Sequence, residues 1–162
     1  MADNTIYKYI REYNKGDIIF KEGEESKCMY EVQKGKVDLY KNYGTPDQKM
    51  IAEVVPDRFF GEMGMVEGLP RSATAVAASD FTTLAQISWD VLGLYFKKNP
   101  SRVVQMMQQM GDRLRITTRA AMDLRGVVQD AIKDLETNSP ESVRYDLERG
   151  LSNMDRTFGS NK

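Results

Sequence analysis

Between residues 13 and 87, apolar and polar positions alternate in short segments broken repeatedly by Gly, Asn, Asp and Pro, a pattern that predicts antiparallel strands joined by tight turns. Ile18 with Phe20, Tyr30 with Val32, and Val37 with Leu39 each put two apolar side chains on one strand face. Lys15-Gly16-Asp17 and Lys34-Gly35-Lys36 read as turns, because Gly takes positive φ without a Cβ clash. Residues 42–48, with Gly44 and Pro46, predict a hairpin tip. Strands resume over 74–78 and 82–87, around Ser79-Asp80. Many short strands at this spacing favour a barrel, roll or sandwich.

After Ile87 the apolar period lengthens to about 3.6 residues. Leu92, Tyr95 and Phe96 share a helical face, Ser88 is placed to cap it, and Asn99-Pro100 ends that helix and opens another. Val103, Met107, Met110, Leu114, Thr117, Ala121, Leu124, Val128, Ala131 and Leu135 then recur at spacings of four and three. Sustained 3.5-residue spacing keeps facing a partner helix, whereas a globular surface drifts off such a stripe, so the seam predicts a parallel homodimer. Gly111 and Gly126 mark bend points or close contacts along it. Residues 137–140 break the helix, and Ser139-Pro140 starts another through Val143, Leu147 and Leu151. The expected organisation is a roll over 1–98, a long dimerisation helix over 99–136, and a short helical extension over 137–162.

Composition narrows the functional classes. Lys+Arg at 23 against Asp+Glu at 24 leaves a net charge of -1, so no global field draws the chain to nucleic acid or membrane phosphates. The sequence holds no histidine, which removes the commonest proton-transfer side chain near neutral pH and the commonest zinc ligand. No Cys-x-x-Cys, Gly-x-Ser-x-Gly or Walker-type loop is present, so neither an enzyme nor a metal site is expected. Cys28 is the single cysteine, which excludes an intrachain disulfide. With no apolar leader and no apolar run near the roughly 20 residues a bilayer requires, a cytoplasmic setting without membrane association is expected.

The chemistry concentrates between Phe60 and Ala73. Gly61 permits close backbone approach, and Glu62 offers an acceptor-only carboxylate suited to a hydroxyl pair. Residues 62–67, including Met63 and Gly64, fit one helical turn whose N–H groups point at an anion. Ten residues after Gly61, Arg71 supplies a permanent planar cation that pairs with phosphate through two N–H groups. Ser72 and the Ala73 backbone add small neutral donors. Glu62 and Arg71 could equally salt-bridge each other or face solvent, while the glycines serve turns. The combination within a β-rich chain is more specific than any of its parts.

Here the sequence resembles the cyclic-nucleotide-binding domain family, whose phosphate-binding cassette is similar to Phe60-Gly61-Glu62-Met63-Gly64-Met65 through Pro70-Arg71-Ser72-Ala73. The resemblance runs from about Tyr9 to Asp123, with Gly16-Asp17, Ile19, Glu22-Gly23-Glu24, Met29-Tyr30, Val32, Gly35 and Val37 matching the first strands and turns. It implies a mainly β chain with helices: an eight-stranded, jelly-roll-like double-stranded β-roll, flanking helices and a long C-terminal dimerisation helix. It also implies that Glu62 accepts the ribose 2′-hydroxyl, that Arg71 pairs with the cyclic phosphate, and that Gly61, Met63, Ser72 and Ala73 add backbone or hydroxyl contacts.

Within the family the chain is most similar to the sensor half of catabolite-activator-like bacterial regulators. There, a polar pair on the long helix bonds adenine, and Thr117-Thr118 stand at the matching place, although Thr117 also falls on the heptad seam. This favours cAMP over cGMP as ligand. Those regulators continue into a winged helix-turn-helix, whereas 27 residues follow Leu135 here, and from Ser101 onward 10 Lys+Arg stand against 9 Asp+Glu, without the positive patch DNA requires. DNA binding by this chain is therefore not expected. The expected function is a dimeric cyclic-nucleotide sensor that signals to an unidentified protein partner. The alternative is a catabolite-activator-type transcription regulator that is degenerate or truncated of its DNA-binding domain.

Overall fold

The computed structural model describes residues 9–137 and, beyond them, Tyr145, Glu148, Arg149 and Ser152. Val143, Leu147, Leu151 and Phe158, expected to build the C-terminal extension, lie outside the described residues. The chain divides into two compact units, one ending at Gln109 and the other beginning at Met110.

Eight strands precede the long helical region. They are β1 (Ile10–Tyr13), β2 (Ile18–Phe20), β3 (Cys28–Lys34), β4 (Val37–Lys41), β5 (Lys49–Val54), β6 (Phe59–Phe60), β7 (Thr74–Ala77) and β8 (Thr82–Ser88). Helix α1 (Glu62–Glu67) lies between β6 and β7, and α2 (Trp89–Lys98) and α3 (Pro100–Thr137) follow β8. The strands form two four-stranded antiparallel sheets, ordered β1-β8-β3-β6 and β2-β7-β4-β5. This is the expected mainly β roll with helices attached. The strand pattern starts earlier than the alternation suggests, since Ile10–Tyr13 pairs with Thr82–Ala85.

Two apolar clusters hold this unit together. Between the sheets, Phe20, Val37, Val54 and Ala75 meet Tyr30, Val32, Phe60 and Leu84. On the other face of the β3-bearing sheet, Met29, Phe59 and Ile87 pack with Met65 and Tyr95, joined by Val91, Leu92, Phe96 and Met106. The central strand β3 is therefore covered on both faces, and Cys28 through Val32 are all buried. That continuous burial masks the period of two expected of a half-exposed strand.

The pairing of Ile18 with Phe20 on one buried face does not hold. The register shifts between them, Ile18 stays 40 % exposed, and Ile19 packs against the core instead. A shift of this kind re-aims alternate side chains, so simple alternation misplaces the first one. Ser88 is the N-cap residue of α2, but its hydroxyl bonds the Asp90 carboxylate and gives the helix no side-chain cap. The break at Asn99-Pro100 is as expected, and α3 continues without interruption past Gly111 and Gly126 to Thr137.

Candidate functional site

Strand β6 delivers the chain into Gly61, whose φ of 71° turns it directly into α1. An added Cβ at Gly61 would meet Arg71 Nη1 at 2.5 Å and the Phe20 ring at 3.2 Å, so the turn is closed to side chains from two sides. Within α1, a Cβ at Gly64 would lie 2.7 Å from the Leu69 carbonyl oxygen and 2.9 Å from Ser26. Gly68, with φ 68°, ends the helix, and the Leu69 N–H bonds the Gly64 carbonyl at 3.0 Å. These glycines make a tight loop–helix–loop that brings Arg71 back beside Gly61.

Arg71 is held from its backbone outward. Its N–H donates to the Glu24 carbonyl at 2.8 Å, and its own carbonyl accepts from Gly23 at 2.9 Å. The side chain is only 5 % exposed. Nη1 donates to the Gly61 carbonyl and Nη2 to the Cys28 carbonyl, both at 2.7 Å, and the guanidinium lies 4.1 Å from the centre of the Phe20 ring. Nε is buried and has no hydrogen-bond partner among the described residues. A guanidinium carries five N–H donors in a fixed plane, so this cation is aimed and anchored while donors remain for an anion. Glu62, next to the glycine turn, is 2 % exposed.

The structure sets Arg71 against Gly61, places Glu62, Met63 and Gly64 in α1, and places Ser72 and Ala73 just before β7, all within the first unit. Gly64 and Ala73 are buried, whereas Met63 and Ser72 are exposed. Thr117 and Thr118 belong to the second unit, where both are exposed on α3. Sequence reasoning missed three contributors. Cys28 supplies a backbone carbonyl, Phe20 a ring face, and Glu24 a backbone acceptor to the Arg71 N–H. A backbone carbonyl carries no residue identity, so only the fold could reveal two of these. The sequence pattern of Phe20 indicates only an apolar strand face, because a ring that packs on a cation has the same local signature as one that packs in the core.

The family model for the cyclic nucleotide-binding domain matches residues 10–99, more than half the chain. The chain belongs to the cyclic nucleotide-binding domain family. Its relatives include the Thermus thermophilus "Cyclic AMP receptor protein", 36% identical over 84 residues, covering 52% of this chain and 39% of that protein. A Dictyostelium discoideum "cAMP-dependent protein kinase regulatory subunit" is 39% identical over 70 residues, covering 42% of this chain and 21% of that protein. The matches therefore span well under half the length of these relatives. The crystal structure of the Thermus thermophilus catabolite activator protein superposes with a TM-score of 0.60, over 93% of this chain and 81% of that one. At 22% identity this last likeness shows a shared fold.

A cyclic nucleotide is the ligand class of this family, and the cradle fits one. The buried Arg71 Nε would offer such a ligand an N–H donor, the Gly61 turn carries no Cβ to obstruct close approach, and the buried Glu62 carboxylate would offer an acceptor. No described helix is long and apolar enough to cross a membrane. Among the described residues no cluster of His, Cys, Asp or Glu could hold a metal.

Proposed function

We propose that this protein is a cAMP-responsive regulatory sensor that binds its ligand without turning it over. Arg71 pairs with the cyclic phosphate, Glu62 accepts the ribose 2′-hydroxyl, and Gly61, Met63, Gly64, Ser72 and Ala73 line the cradle through backbone and hydroxyl groups. The observation that carries this reading is the buried Arg71 guanidinium, fixed by two carbonyls with Nε still available to an anion. The preference for cAMP over cGMP rests on Thr117 and Thr118 as contacts to adenine. Two relatives, a cyclic AMP receptor protein and a cAMP-dependent protein kinase regulatory subunit, support it.

Signalling would pass from a roll over 1–98 through a dimer helix over 99–136 to the extension over 137–162, which meets a partner protein. The exposed apolar seam on α3 supports the dimer: Met107, Leu114 and Val128 are 65 %, 68 % and 41 % exposed in the single chain. Calorimetric titration with cAMP and cGMP tests the proposal. Wild type should show saturable binding with cAMP tighter, and Arg71→Ala should lose at least about a hundredfold in affinity, as for a desolvated charge pair. Absence of binding to wild type, or unchanged binding in Arg71→Ala, overturns it.

A further inference from the structure

The first turns of α3 are fastened to the strand that leads into the cradle, and they use side chains the ligand contacts do not involve. Gln109, 8 % exposed, reaches the backbone of Phe59: its Oε1 accepts the Phe59 N–H at 3.0 Å and its Nε2 donates to the Phe59 carbonyl at 2.5 Å. One side-chain amide thus imitates a neighbouring strand on β6, which is the outermost strand of its sheet.

Two turns earlier on the same helix, Arg102 pairs through Nε with the buried Glu31 carboxylate at 3.0 Å and through Nη2 with Asp57 at 2.7 Å. Glu31 also accepts the Tyr95 hydroxyl and the Gln33 amide. Between these two fasteners Met106 packs on the Phe59–Met65–Tyr95 cluster. Spacings of four and three residues put Arg102, Met106 and Gln109 on one helix face. Gln109 is also the last residue of the first unit.

Phe59 stands two residues before Gly61, whose carbonyl anchors Arg71 Nη1, and three before Glu62. A displacement of β6 along its length would carry that carbonyl with it and re-aim the guanidinium. We infer that Gln109 is a positioning residue of the nucleotide site: its two-bond clamp on Phe59 sets the carbonyl that aims Arg71, and so ties ligand affinity to the seating of α3 on β6. This rests on the reading of the cradle as a nucleotide site.

Gln109→Met keeps the volume and removes both bonds, while Gln109→Glu keeps an acceptor for the Phe59 N–H and removes the donor to its carbonyl. Residue-resolved amide exchange without ligand and cAMP titration are measured on the full chain for wild type and both variants. The clamp predicts faster exchange at Phe59 in Gln109→Met, protection retained there in Gln109→Glu, and cAMP affinity about tenfold weaker in both. A role in stability alone would lower Tm in both variants and leave affinity unchanged for the folded fraction, which overturns the inference. So does wild-type exchange at Phe59 in Gln109→Met. If wild type itself binds no nucleotide, the reading of the cradle fails, and the exchange result still judges the clamp.

Discussion

The unusual features of Arg71 arise one residue at a time. A cation with 5 % exposure is costly to bury unless its N–H groups are engaged, and two carbonyls together with an aromatic face reduce that cost here. Glycine conformation matters in the same way, through space as well as φ. Gly16 and Gly35 both hold positive φ, at 91° and 78°. A Cβ at Gly16 meets nothing within 4 Å, whereas at Gly35 it would lie 2.5 Å from Thr82 Oγ1 and 2.9 Å from the Thr82 backbone. Gly16→Ala should therefore cost about 1 kcal/mol in urea unfolding, from backbone strain alone. Gly35→Ala should cost roughly 1–3 kcal/mol more, from overpacking against backbone that cannot rotate away. Equal losses would mean that strain, and not space, governs both turns.

At the scale of elements, legibility depended on how many faces each element buries. The β4–β5 hairpin has its tip at 42–48, as the Gly and Pro positions indicate, and α1 spans Glu62–Glu67 as the spacing indicates. β1 and the register shift in β2 were not legible, because four residues carry too little periodicity and a shift erases what there is. On α3, the heptad seam is one continuous helix whose apolar positions are largely exposed in the single chain. Leu114→Asp should accordingly turn a dimer into a monomer in sedimentation velocity. Its effect on the unfolding of the monomeric chain should stay within about 0.5 kcal/mol, as for an exposed site. A wild-type chain that sediments as a monomer would remove the proposed dimer.

For the whole molecule, ligand and proton linkage give two measurable consequences. Cyclic nucleotide binding to the folded chain alone should raise stability by about 2.7 kcal/mol at a hundredfold excess over Kd, seen as a rise in Tm that Arg71→Ala abolishes. The tyrosines set an alkaline limit. Burial, then the hydrogen bond to Glu31, raises the Tyr95 hydroxyl well above its usual value, and burial does the same for Tyr30. The unfolded chain releases these protons near pH 10 while the folded chain retains them. Stability from these two groups is thus complete below about pH 10 and falls as pH rises further, by up to about 1.4 kcal/mol per unit for each. Tyr95→Phe should flatten that alkaline slope in urea unfolding measured from pH 9 to 11, and an unchanged slope would show that Tyr95 is not its source.

Local spacing was enough to read the strand-rich class, the cassette between Phe60 and Ala73, and the long amphipathic helix, because each is a short-range pattern of side-chain types. Long-range geometry was needed for the rest. Cys28 and Gly61, far apart in the chain, offer carbonyls to one guanidinium, and Gln109 reaches back 50 residues to Phe59. Those contacts use backbone atoms that every residue shares, so they exist only once the pairing of β3 with β6 and the packing of the first turns of α3 have brought distant segments within hydrogen-bond distance.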